Sequence, residues 1–181
     1  MKHSILTLLA ALTLAASTSA LADNPMVGGK EMYPTKNIIE NASQSADHTT
    51  LVAAVKAAGL VTTLEGKGPF TVFAPTNEAF EALPAGTVDT LLKPENKAKL
   101  TAILTYHVVA GDLTSEKIAK KIKAGGGKAE LKTVNGEKLT AMMKGDSLVL
   151  TDKGGNESTV TIADVKQSNG VIHVIDHVLL P

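Results

Sequence analysis

The chain contains no cysteine, no arginine and no tryptophan. Without cysteine there is no disulfide, no thiol nucleophile and no residue to accept a lipid behind a leader. Stability must therefore come from an apolar core. Without arginine there is no bidentate fork for guanine or phosphate, and the eighteen lysines are balanced by eighteen acids. Both facts argue against a nucleic-acid partner, and an Arg-Gly-Asp adhesion tripeptide is ruled out. Long apolar runs are equally scarce. The one uncharged apolar stretch near the start, Ile5 to Ala16, is shorter than the roughly 20 residues a spanning helix needs.

That stretch is preceded by Lys2 and His3 and followed by Ser17-Thr18-Ser19 and Ala20-Leu21-Ala22. A basic start, an apolar run and a small-x-small site form a secretory signal peptide over residues 1–22, with cleavage after Ala22. The expected protein begins at Asp23, is secreted or periplasmic, and keeps no membrane span after cleavage. Losing Lys2 leaves it one net negative charge.

Residues 23–36 are rich in proline and glycine and read as an N-terminal arm; residues 37–181 read as one domain. Ile38, Ile39, Ala42 and Ala46 fit one helical face. Asp47 is placed to cap a second helix carrying Leu51, Val52, Val55 and Ala58, which Gly59 ends. Phe70 to Ala74 is a strand, stopped by Pro75, and Thr76 caps a short helix that turns Phe80 inward. Further helices are expected over 86–92, over 94–105 with Pro94 first, and over 114–124. Beyond Gly127 turn pairs recur, at Asn135-Gly136, Gly145-Asp146, Gly154-Gly155 and Asn169-Gly170. Asn-Gly suggests type I′ hairpins in which both residues take positive φ. The strands between them are 128–134, 138–143, 148–151, 159–165 and 171–179. Helices crowd the first half and strands the second, which is the pattern of an α+β domain around one core.

The chemistry-bearing signatures are thin. No G-x-S-x-G elbow occurs, and neither Gly66-Lys67-Gly68 nor Gly125-Gly126-Gly127 has phosphate-loop spacing. A binding protein without a cofactor, rather than an enzyme, is expected. His173 and His177 are four apart, but as strand residues they stand roughly 13 Å from each other and cannot share an ion. No metal site is expected. Lys117, Lys120 and Lys121 lie on one helical face, either as a patch for an anionic polysaccharide or membrane surface, or as a solvated face.

Three segments carry a family resemblance. They are Thr71–Phe80 (TVFAPTNEAF), the pair Tyr106-His107, and Asn169–Pro181 (NGVIHVIDHVLLP). In this order and spacing they resemble the two signature blocks and intervening Tyr-His pair of the fasciclin (FAS1) family, over nearly the whole chain from residue 37. The resemblance is to the secreted single-domain bacterial members. It implies an α+β fold, a wedge of two β-sheets with helices packed around it. It also implies a function in cell adhesion or protein–protein interaction at the cell surface or matrix. The alternative is a soluble carrier of a small ligand or lipid, or a binder of envelope polysaccharide. In animal matrix members an Asp-Ile pair before the second block is implicated in receptor binding. It falls here on Asp164-Val165, with valine for isoleucine. The Tyr-His segment implicated in the same binding falls on Tyr106-His107. These four are the candidate binding residues. Asp164 is expected to lie exposed beside Val165, the carboxylate giving direction and the valine desolvation. Otherwise it satisfies a local backbone group or Lys166.

Overall fold

The computed structural model describes residues 24–181. The expected leader and its cleavage site lie outside the described residues. A short hairpin comes first, β1 (Met26–Val27) and β2 (Lys30–Glu31). The helical half follows: α1 (Ile38–Ala42), α2 (Thr49–Ala58), α3 (Val61–Leu64), β3 (Phe70–Pro75), α4 (Asn77–Glu81), α5 (Thr87–Leu91), α6 (Lys97–Tyr106) and β4 (Val108–Ala110). Then come α7 (Ser115–Ala124), β5 (Lys128–Lys132), β6 (Lys138–Lys144), β7 (Ser147–Thr151), β8 (Glu157–Gln167) and β9 (Gly170–Ile175).

Seven strands form one sheet in the order β4-β3-β9-β8-β7-β6-β5. All pairings in it are antiparallel except β3 with β9. The long strand β8 sets the shape. It pairs with β7 only through Glu157 to Thr159, and with β9 from Val160 onward across two register shifts. Such bulges bend a strand and sharpen its twist. The sheet thus folds about β8 into two halves, and a single bridge between Val109 and Thr133 joins its outer strands, β4 and β5. This is the expected α+β wedge.

Alternation along β3 and β9 builds two buried clusters rather than one core. Val72, Ala74, Ile172 and Val174 face α1, α2, α4 and α6. Phe73 and Ile175 face the other way, onto Tyr106, Leu139, Leu150 and the α7 residues Ile118 and Ile122. Both faces of this pair of strands are covered, as is usual for parallel neighbours. The alternation continues past the last strand, since Val178 joins the first cluster and Leu179 the second. The strand itself ends at Ile175, four residues short of expectation, and His177 and Leu180 are exposed. Past it Asp176 still holds β8, its N–H donating to the carbonyl of Thr159 at 3.2 Å and its Oδ1 accepting from the Thr159 N–H at 2.7 Å.

The arm is part of the fold. Val27 and Met32 are buried in the first cluster, and Asn41 exchanges hydrogen bonds with both backbone groups of Tyr33. Some end signals behave as written. Gly59 closes α2 in the left-handed conformation at φ 74°, and Thr76 and Thr114 cap α4 and α7. Asp47 does not cap α2. A 3₁₀ turn over Ala46–His48 intervenes, and the N–H of Thr50 is taken by Oδ1 of Asn77, at 3.0 Å. The Asn-Gly turns also differ from expectation, because neither Asn135 nor Asn169 has positive φ. Asn135 works through its side chain, which accepts from the N–H of Glu137. Gly170 is required by a close approach: a Cβ there would overlap the Phe70 carbonyl.

Candidate interaction surface

The four candidate residues do not form a surface patch. Asp164 sits on β8 between the two shifted registers, the one non-glycine residue of positive φ (59°) among the described residues. Its Oδ1 accepts from the N–H of Ser115 at 2.7 Å and its Oδ2 from the Ser115 hydroxyl. Ser115 is the first residue of α7, so the carboxylate lies against the positive end of that helix dipole and satisfies a free donor. The N–H of Asp164 donates to Nδ1 of His173 at 3.2 Å, and Nε2 of that ring donates to the carbonyl of Leu113 at 2.7 Å. The circuit ties β8, β9 and the segment before α7 together. The carboxylate is held by Ser115, 49 residues away in the chain, and not by a local backbone group or Lys166.

Val165 is fully buried in the first cluster. The expectation of a valine supplying desolvation at the surface is therefore corrected: successive strand residues point to opposite faces, and the face opposite Asp164 is packed. Tyr106 and His107 are likewise buried. Tyr106 fills the second cluster and donates from Oη to the carbonyl of Lys138 at 3.0 Å. His107 donates from Nδ1 to the carbonyl of Ile103 and accepts at Nε2 from the N–H of Leu179. His107 fastens the corner between α6 and β4 to the C-terminal segment, and Tyr106 fastens it to β6.

The remaining motif side chains are also engaged internally. Asn77 takes hydrogen bonds from Thr49 and Thr50 and donates to Ala46. Asn169 accepts from the N–H of Ile38 and donates to the carbonyls of Leu64 and Gly66. His48 bridges the Ser45 hydroxyl and the carbonyl of Ala74. Burial holds His48, His107 and His173 below the usual histidine pKa, His107 down to about 4. They are neutral struts. His177 is on no strand; it is exposed and pairs with Asp176 at 2.7 Å.

On α7, Lys117 pairs with Asp112 at 2.9 Å and Lys120 with Glu116 at 2.7 Å. Lys121 has no acidic partner among the described residues. Such exposed pairs add little stability but offset the positive field of that face.

Two concavities matter. An apolar cavity of about 30 Å³ lies where Val27 and Met32 of the arm meet Ile38, Leu51, Val55 and Leu104. An open groove of about 440 Å³ runs between the 67–69 loop and the turn joining β8 to β9. Sequence reasoning missed the groove, because its walls come from segments about a hundred residues apart.

Comparison with known proteins is consistent along the chain. A model of the fasciclin domain matches residues 46–181. The protein sll1483 of Synechocystis is 54% identical over 144 residues, covering 80% of this chain and 73% of the relative. The cell surface glycolipoprotein MPB83 of Mycobacterium bovis is 38% identical over 122 residues, covering 67% of this chain and 48% of the relative. A solved FAS1 domain pair from the insect cell adhesion molecule fasciclin I superposes with a TM-score of 0.73 at 18% identity. It covers 81% of this chain and 51% of that one, so the likeness is one of fold.

Proposed function

This chain belongs to the fasciclin domain family, and on that premise we propose that it is an exported attachment module, working by protein contacts at the cell surface or matrix and not by catalysis. The observation that carries the reading is where the polar groups are used. The motif residues Asn77, Asp164, Asn169 and His173 hold the fold together. Partner recognition is therefore left to the solvated exterior, which varies without endangering the core.

The carrier alternative is less well supported. The apolar cavity of about 30 Å³ has room for about one water, too little for a lipid or other apolar cargo, since ligand pockets measure roughly 300–1,000 Å³. No helix among the described residues is long and apolar enough to cross a membrane. MPB83 is named as a surface glycolipoprotein, but this chain has no cysteine to carry a lipid. On this reading the leader directs export, and the mature domain works in the periplasm or medium.

The test is attachment. Surfaces coated with the mature protein should retain cells of its source, or envelope fractions from them, more than surfaces coated with heat-unfolded protein. Crosslinking in intact cells should capture an envelope or matrix protein. Equal retention on both surfaces, with no captured protein, would end this reading. Intact-mass analysis of exported protein should show a chain beginning at Asp23.

A further inference from the structure

We propose that the cleft where β8 parts from β7 is a docking site for an extended segment of a partner protein, one that carries a basic residue and adds to the open edge of β8. The inference rests on the attachment reading above and names the surface that serves it.

The two strands pair from Thr151 opposite Glu157 to Val149 opposite Thr159, and then separate. Beyond the last pair, Ser147 and Leu148 of β7 and Val160 to Ala163 of β8 face an opening of about 370 Å³, walled on its other sides by Ser115 and Ala119 of α7 and by Met143 of β6. On the far side of β8, Val160 stands opposite Ile175 and Ile162 opposite Val174. The register shifts leave Thr161 and Ala163, both exposed, opposite no residue of either neighbour. No turn or loop backbone bonds to these two residues.

An open strand edge is a template for another chain unless charge, proline or a cover blocks it. The outer strands of this sheet are blocked. β5 carries Lys128, Glu130 and Lys132, while β4 is closed by the Val109–Thr133 bridge and by the N–H of Val134, which donates to the carbonyl of Val108 at 2.7 Å. The stretch Val160-Thr161-Ile162-Ala163 has no charge and no proline, and it is β-branched except for its alanine. Donors and acceptors that repeat along an edge select a peptide backbone, since only another strand offers the complementary repeat. Met143, 40% exposed, gives apolar contact to the alternate side chains of such a segment.

The charged side chains on the opening are Glu116 and Asp146, both acidic. Asp146 has no basic partner among the described residues. Glu116 is held only by Lys120, in an exposed pair of the kind that contributes little. A lysine or arginine on the incoming segment therefore meets carboxylates from both α7 and the β6–β7 turn, which fixes its register, and an acidic segment is repelled.

Selection of random octapeptides displayed on phage against the immobilised mature protein is the test, followed by titration of the most enriched one as a synthetic peptide. Enriched sequences should alternate apolar residues with lysine or arginine and avoid central proline. Amide shifts on titration should fall at Ser147, Leu148, Thr161 and Ala163. Methylating alternate backbone nitrogens of the peptide should lower affinity at least about tenfold. So should Ala163→Lys, which sets a cation on an exposed edge position. Asp146→Lys should weaken binding several-fold, and exchanging the peptide's basic residue for glutamate should restore it. No enrichment, shifts confined to another face, or full affinity of the methylated peptide would overturn the proposal. So would a concentration-dependent dimer that perturbs the same amides in the free protein, which would give the edge to a second copy. Equal retention of cells by wild-type and Ala163→Lys protein would end this inference and leave the attachment reading standing. An enriched peptide that binds the edge, with no retention of cells, would do the reverse.

Discussion

The main-chain N–H of Leu179 donates to Nε2 of His107 across 3.1 Å, while Nδ1 of the same ring donates to the carbonyl of Ile103. Both partners fix the neutral tautomer with its proton on Nδ1. A proton added at Nε2 would meet the Leu179 donor head-on and break the tie to the C-terminal segment.

Acid should therefore loosen the domain in a defined window. Burial lowers the His107 pKa from 6.5 to about 4, so between those values the unfolded chain binds a proton that the folded one refuses. Stability is full above about pH 7, falls as pH drops toward 4, and levels off for this group below that. The loss is on the order of 3 kcal/mol from His107, and His48 and His173, also lowered by burial, act in the same direction. Urea midpoints measured across this range check the slope. A His107 ring that titrates near 6.5 by NMR would contradict the buried geometry.

Asn169→Ala should cost roughly 3 kcal/mol, because three hydrogen bonds end on one amide. Replacement by aspartate should keep the bond from Ile38 but lose both bonds to carbonyls. Chemical denaturation reads the difference, and a cost below about 1 kcal/mol for alanine would place the turn elsewhere.

Ile172→Ala should cost roughly 2–5 kcal/mol, since its side chain is 4% exposed in the first cluster. Leu180→Ala, eight positions on, should cost less than about 1 kcal/mol, with Leu180 38% exposed. Similar losses in both variants would mean that the C-terminal segment packs more closely than described.

Asp164→Asn keeps a residue tolerant of positive φ but removes the charge at the start of α7, and should cost about 1–2 kcal/mol. Val165→Ser places a hydroxyl in a packed cluster and should cost roughly 2–4 kcal/mol. Loss of attachment in either variant should track loss of stability. Attachment abolished in Asp164→Asn at unchanged melting temperature would restore this aspartate as a direct contact.

Much of the fold is legible in residue order because it is local. The faces of α2 and α7, the Gly59 stop, the Thr76 and Thr114 caps and the alternation of Val72, Phe73 and Ala74 all follow from periods within a few residues. What was not legible depends on distant partners. Asp47 has the right chemistry to cap α2, yet Asn77 reaches across to do it. Asn169 looks like a turn residue but acts as a clamp on α1 and the 64–66 segment. The candidate site failed for a related reason: alternation tells which residues share a face, not whether a face is covered. Val165 and His107 are on covered faces, and no local pattern announces that.

The place of β9 bears on the order in which the sheet can close. It is the last of the described strands in chain order, yet it lies inside the sheet, between β3 and β8. Without it, β3 and β4 share no ladder with the strands β5 to β8 beyond the bridge at Thr133. Pairings of such long sequence separation form slowly, and here they need residues 170–175 in place. The two halves of the sheet are therefore joined by one segment, and a chain cut before Gly170 would lose the ladder between them.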